Sequence, residues 1–88
     1  MREALEALRR TLGDTHLNTL AGINNLGGLL KTQGKLSEAE ALYREALEGS
    51  RRTLGEIHSF TLTCTNNLAI LLKGQGKLNE AEPLYRDT

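Results

Sequence analysis

The sequence predicts an all-α chain, an α-solenoid of antiparallel helix pairs. Three observations carry that expectation. Residues 2–43 align with residues 44–85 without a gap, and 28 of the 42 aligned positions are identical. A period of this size marks a stack of supersecondary units that bury their apolar faces against one another. Within each unit, apolar residues recur at steps of three and four, the signature of one helix face. Short glycine-containing links divide the units, and short links make neighbouring helices pack antiparallel.

Five helices are expected, at about 2–12, 17–33, 37–54, 59–75 and 79–87. The 17–33 helix carries Leu20, Ile23, Leu26, Leu29 and Leu30 on one face, and its copy at 59–75 keeps Leu62, Leu68, Leu71 and Leu72. Gly34 and Gly76 suit the left-handed position just beyond a helix C-terminus. Lys31 and Lys73 stand in the last turns, where a cation suits the helix dipole. The 37–54 helix opens on Ser37-Glu38-Ala39-Glu40, which reads as a capping box, and Asn79 through Glu82 repeats the pattern with Asn as the cap. Pro83 falls early enough in the last helix to cost at most one backbone bond. Leu42, Tyr43, Ala46 and Leu47 form the apolar stripe of the 37–54 helix. Glu40–Arg44 and Glu48–Arg52 are spaced for ion pairs on its outer face, each worth ~0.2–0.5 kcal/mol. Gly27 and Gly28 interrupt a helix at up to ~1 kcal/mol each against Ala. The counterpart of Gly27 is Ala69, so Gly27 reads as a close-packing position. Gly28, opposite Ile70, has no such reason.

Composition narrows the function classes. Eleven basic residues balance eleven acidic ones, which leaves no electrostatic footprint for nucleic acid or an anionic membrane. Tyr43, Tyr85 and Phe60 are the only aromatic residues, too few for a base-stacking platform. No run approaches the ~20 apolar residues that span a bilayer, and the charged start MREALEALRR is unlike a signal peptide. One cysteine, Cys64, makes no internal disulfide. These features fit a soluble, cytoplasmic chain.

Residues 24–47 read NNLGGLLKTQGKLSEAEALYREAL, and residues 66–85 read NNLAILLKGQGKLNEAEPLY. This pattern resembles the tetratricopeptide repeat in its 42-residue kinesin-light-chain-like form, with relatives in nephrocystin-like proteins and in arrays behind NB-ARC-type ATPase modules. The resemblance covers essentially the whole chain. It implies small residues at the helix crossing (Gly27, Ala39, Ala46, Ala69, Ala81) and large ones beside them (Leu26, Leu30, Tyr43, Leu68, Leu72, Tyr85). The family's usual Pro after the loop His is replaced by Leu17 and Ser59. A HEAT or armadillo stack would also allow a period near 42 but not this small–large spacing.

The resemblance implies a non-catalytic module that binds a peptide or protein segment in a concave groove. The alternatives are a structural, self-assembling repeat spacer and the ligand-sensing array of an NB-ARC-type ATPase. In this family the second Asn of the pair commonly faces the groove, which falls here on Asn25 and Asn67. Its amide offers an extended peptide both a donor and an acceptor. The plainer reading is a hydrogen bond between repeats. Asn24 and Asn66 are weaker candidates, and Lys31 and Lys73 lie near the same side, where they either meet acidic ligand groups or simply cap the helix.

The remaining motifs point to no chemistry. His16 and His58 lack acidic or Cys partners at metal-ligand spacing and read as loop residues. Cys64 is replaced by Gly22 in the other copy and reads as an inert small residue. Gly74 through Lys77 lacks the phosphate-loop spacing and follows a helix. No nucleophile–base pair stands out, so no enzyme activity, cofactor or metal is expected. The register begins and ends within a second-helix sequence, which suggests a piece of a longer array. Leu5, Leu8 and Leu12 at one end, and Leu84 and Tyr85 at the other, would then favour self-association through cut terminal helices.

Overall fold

A computed structural model describes Glu3, Glu6, residues 17–55 and residues 57–87, with Tyr85 and Asp87 described by their backbone alone. The expected helix at 2–12, with Leu5, Leu8 and Leu12, lies outside the described residues apart from Glu3 and Glu6, which are helical. His16 and the side chain of Tyr85 also lie outside them. Four helices follow in order: α1 (Leu17–Thr32), α2 (Leu36–Leu54), α3 (Ser59–Gly74) and α4 (Leu78–Asp87). They pack in sequence, α1 on α2, α2 on α3 and α3 on α4. The result is an all-α helical-repeat solenoid, and the described residues contain no strand.

Gly34 and Gly76 make the turns between the helices of each pair, at φ of 81° and 79°. In the first turn Lys35 N–H donates to Leu30 C=O at 2.8 Å and Gly34 N–H to Lys31 C=O at 3.0 Å. Lys77 and Gly76 repeat both bonds onto Leu72 and Lys73. This is the paired closure that satisfies the orphan carbonyls of a helix end.

The turn also changes how the second helix begins. Lys35, not Ser37, is the N-cap residue of α2, and no side chain caps it. Lys35 closes the preceding helix with its N–H and starts the next one with its C=O, which accepts from Ala39 N–H at 3.0 Å. The capping box expected at Ser37 and Glu40 is therefore absent. α4 likewise begins at Leu78, one residue ahead of Asn79, with Lys77 C=O accepting from Ala81 N–H.

One core runs through both units. Leu20, Ile23, Leu26 and Leu30 of α1 meet Ala39, Tyr43, Ala46 and Leu47 of α2, and the cluster continues through Cys64, Leu68, Leu71 and Leu72 of α3 to Ala81. The small residues are there because the helices approach closely. A Cβ on Gly27 would lie 3.0 Å from the ring of Tyr43. A Cβ on Gly49 would lie 2.5 Å from Leu20 Cδ2, a close approach that the repeat pattern did not reveal. Leu29, expected on the apolar face, is instead 43% exposed. Its counterpart Leu71, with the first unit on its N-terminal side, is 1% exposed.

Candidate peptide-binding surface

α3 is buried along most of its girth and open along one line. Ser59, Thr63, Asn66, Ile70 and Lys73 are all exposed, at successive steps of four and three that keep them on one face. Asn66 and Lys73 are seven residues apart, about 10 Å along the axis. That spans roughly three residues of an extended peptide. Between them Ile70 presents an apolar side chain that is 41% exposed. The line thus offers an amide, an apolar contact and a cation in sequence.

On α1 the corresponding positions are less open. Leu17 is exposed, but Ala21, Asn24, Gly28 and Lys31 are half-buried. The open face of α1 lies slightly further round, at Asn25, Leu29 and Thr32. Asn67 Nδ2 donates to Asn24 Oδ1 at 3.3 Å, and both side chains are partly buried. The two Asn pairs therefore divide by role. Asn24 and Asn67 join the units to each other, while Asn25 and Asn66 face solvent. Of the cations, Lys73 is exposed and Lys31 half-buried.

Sequence reasoning passed over Thr63 and Ile70. The available signal was their spacing from Asn66 together with their divergence from Ala21 and Gly28 in the first unit.

A charged network joins α2 to α4 and the turn that precedes it. Glu40 accepts from Lys77 Nζ at 2.9 Å and from Arg44 Nε at 3.0 Å, and Arg44 also donates to Glu80 at 3.0 Å. Lys77 next to Glu40 holds its carboxyl below the usual range against the opposing effect of burial, with Arg44 adding to the shift. The Glu40–Arg44 pair expected from the spacing forms, and Glu40 in addition links α2 to Lys77. Glu48 and Arg52, both exposed, are 3.9 Å apart, and such a pair adds little.

His58 and Cys64 have structural roles. His58 is the N-cap of α3, its Nδ1 accepting from Phe60 N–H at 3.1 Å. Cys64 is fully buried, and burial pushes its thiol up to about 11 against a lowering contact from Ser50. Its thiolate fraction near neutral pH is negligible. No helix among the described residues is long and apolar enough to cross a membrane.

The tetratricopeptide repeat profile matches this chain twice, over residues 1–52 and 21–88. The two matches together span the chain, which belongs to the tetratricopeptide repeat family. Repeats of this family generally mediate protein–protein interaction and are generally non-catalytic. A comparison with curated proteins gives no match.

Proposed function

We propose that this chain is a cytoplasmic protein-interaction module of the kinesin-light-chain-like form, a single array over residues 1–88 with units at 2–43 and 44–85. It holds a peptide or protein segment on the face shared by α1 and α3. The supporting observation is the open line of α3, where Asn66, Ile70 and Lys73 stand exposed on one face of a helix whose other faces are mostly buried. Asn66 meets the backbone of an extended segment with its donor and acceptor. Ile70 takes an apolar side chain, and Lys73 takes an acidic group. Asn25 and Lys31 extend the same surface onto α1, with Asn24 and Asn67 beneath it. The kinesin-light-chain-like assignment is supported by the 42-residue period and the Asn-Asn-Leu and Gln-Gly-Lys-Leu motifs in both units. The buried, unpaired thiol of Cys64 fits a reducing compartment.

One observation favours a second, structural reading of the Asn motif. The Asn67–Asn24 bond joins α3 to α1, so the motif also sets how one repeat sits on the next. The readings separate by mutation. A displayed random-peptide library panned on the chain supplies probes, whose affinity is then read by fluorescence anisotropy. Asn66→Ala, Ile70→Ala and Lys73→Ala should each weaken binding by about three- to tenfold, near 1 kcal/mol per lost contact, with melting unchanged. Asn67→Ala should lower stability and leave affinity nearly intact. Selected peptides that ignore all three α3 substitutions would place the binding surface elsewhere.

A further inference from the structure

We infer that the two edges of the stack are complementary and that copies of this chain join head to tail, one copy seating the next as the first unit seats the second. This goes beyond peptide binding and uses residues outside the exposed line of α3, apart from Asn66 and Lys73, which border both.

The 42-residue repeat makes the edges readable, because each edge residue has a twin inside the molecule. Lys73, Leu78, Ala81, Glu82 and Arg86 line a cavity of 460 Å³ beside α4. Their twins 42 residues earlier are Lys31, Leu36, Ala39, Glu40 and Arg44. That set is not open. The second unit engages it through Lys77 and Glu80, which bind Glu40 at 2.9 Å and Arg44 at 3.0 Å. Leu36 is half-buried against the core, whereas Leu78 is 59% exposed. The cavity is therefore the seat of a further unit, with the same chemistry as the seat already filled.

The opposite edge carries what that seat takes. The twin of Lys77 is Lys35, exposed on the first unit. A second copy placed in register would set its Lys35 against Glu82, repeating Lys77–Glu40. Among the described residues Glu82 and Arg86 pair with each other within α4. The amide contact extends in the same way. Asn67 donates to Asn24 inside the molecule, and the twin pair is Asn25 of the next copy with Asn66. Leu29, the open twin of buried Leu71, would be covered by the same step. Polar, charged and apolar contacts thus all call for one occupant in one orientation. Because the two surfaces are different, the contact is heterologous and the assembly is open-ended.

The test is sedimentation equilibrium of the 88-residue chain across a concentration series. The average mass should rise past two chains without a plateau and fall with added salt, because the exposed ion pairs are screened. Leu78→Asp puts a charge in the seat and should raise the dissociation constant at least ~tenfold. Leu78 is mostly exposed, so circular dichroism and melting of the monomer should not change. Glu82→Lys alone and Lys35→Glu alone should each weaken association, and the two together in one chain should restore it. That reciprocal rescue decides the matter even if Leu78→Asp disturbs folding. A mass that stays at one chain, a plateau at two, or association indifferent to these substitutions would overturn the inference. Peptide affinity measured on Glu82→Lys should remain at the parent value, so the loss of one activity does not imply the loss of the other.

Discussion

Leu29 and Leu71 occupy the same place in two copies of the same motif, each followed by Leu-Lys, yet Leu29 is 43% exposed and Leu71 1%. The reverse holds at the other side of the helix, where Leu20 is 1% exposed and Leu62 half-buried. Helix propensity and hydrophobicity are the same within each pair. What differs is the neighbour. α3 has the first unit on the side of Leu71, and α1 has the second unit on the side of Leu20. Leucines at these edge positions become core residues only when the adjacent repeat is present, and the energy of such proteins is largely a sum over the units and their nearest-neighbour contacts.

The largest effect should come from breaking that asymmetry directly. Leu71→Ala should cost ~2–5 kcal/mol, as truncation in a packed core does. Leu29→Ala in the same motif should cost under ~1 kcal/mol at a concentration where the chain is monomeric, because close to half of its surface is already in water. Urea denaturation of the two variants gives the comparison, and equal costs would mean that the repeat, not its neighbour, sets burial.

Overpacking should come next. Ala39 is fully buried where α1 and α2 cross. Ala39→Leu should cost ~1–3 kcal/mol, readable as a lower melting temperature. Unchanged melting would show that the crossing has room to spare.

The two acids of the core should make stability fall at alkaline pH. Cys64, whose ordinary value is 9.0, is pushed up to about 11 by burial, and burial also raises Tyr43, with the neighbouring Cys64 thiol adding to the shift. The folded chain holds protons that the unfolded chain releases. The contribution is therefore full below pH 9 and is lost as pH rises toward 11, by on the order of 2 kcal/mol for the thiol. Cys64→Ala should flatten the denaturation midpoint across that window. The first unit has Gly22 at this position, so the dependence belongs to the second unit alone.

The smallest effect tests the amides. Asn24→Ala and Asn67→Ala should each cost ~0.5–1.5 kcal/mol, and the double variant little more than either. Asn25→Ala and Asn66→Ala, though drawn from the same motif, should leave the stability of the monomer unchanged. Additive losses from Asn24 and Asn67 would show that the 3.3 Å contact carries no coupling.

Much of the fold was legible in the repeat. The helix period, the turn glycines at 34 and 76, and the small residues at 27, 39 and 81 all follow from local chemistry, because a left-handed turn or a close crossing admits few residue types. The helix starts were less legible. Ser37 and Glu40 match a capping box, but the closure at Gly34 and Lys35 supplies the first carbonyl of α2, and Glu40 turns to Lys77 and Arg44 instead. That competition is between a local bond and a partner 37 residues away, which no local pattern reports. The surface was legible in residue type rather than in role. The sequence alone singled out four asparagines and two lysines; which amides face solvent and which pair with each other depends on the rotation of α3 relative to α1. The sequence by itself determined that this protein is a stack of helix pairs, because its period and punctuation are written into each unit. Only the tertiary structure decided which of two identical leucines is core, which Asn joins the units and which edge remains open, because burial at the edge positions of a repeat belongs to the contact between units and not to the unit.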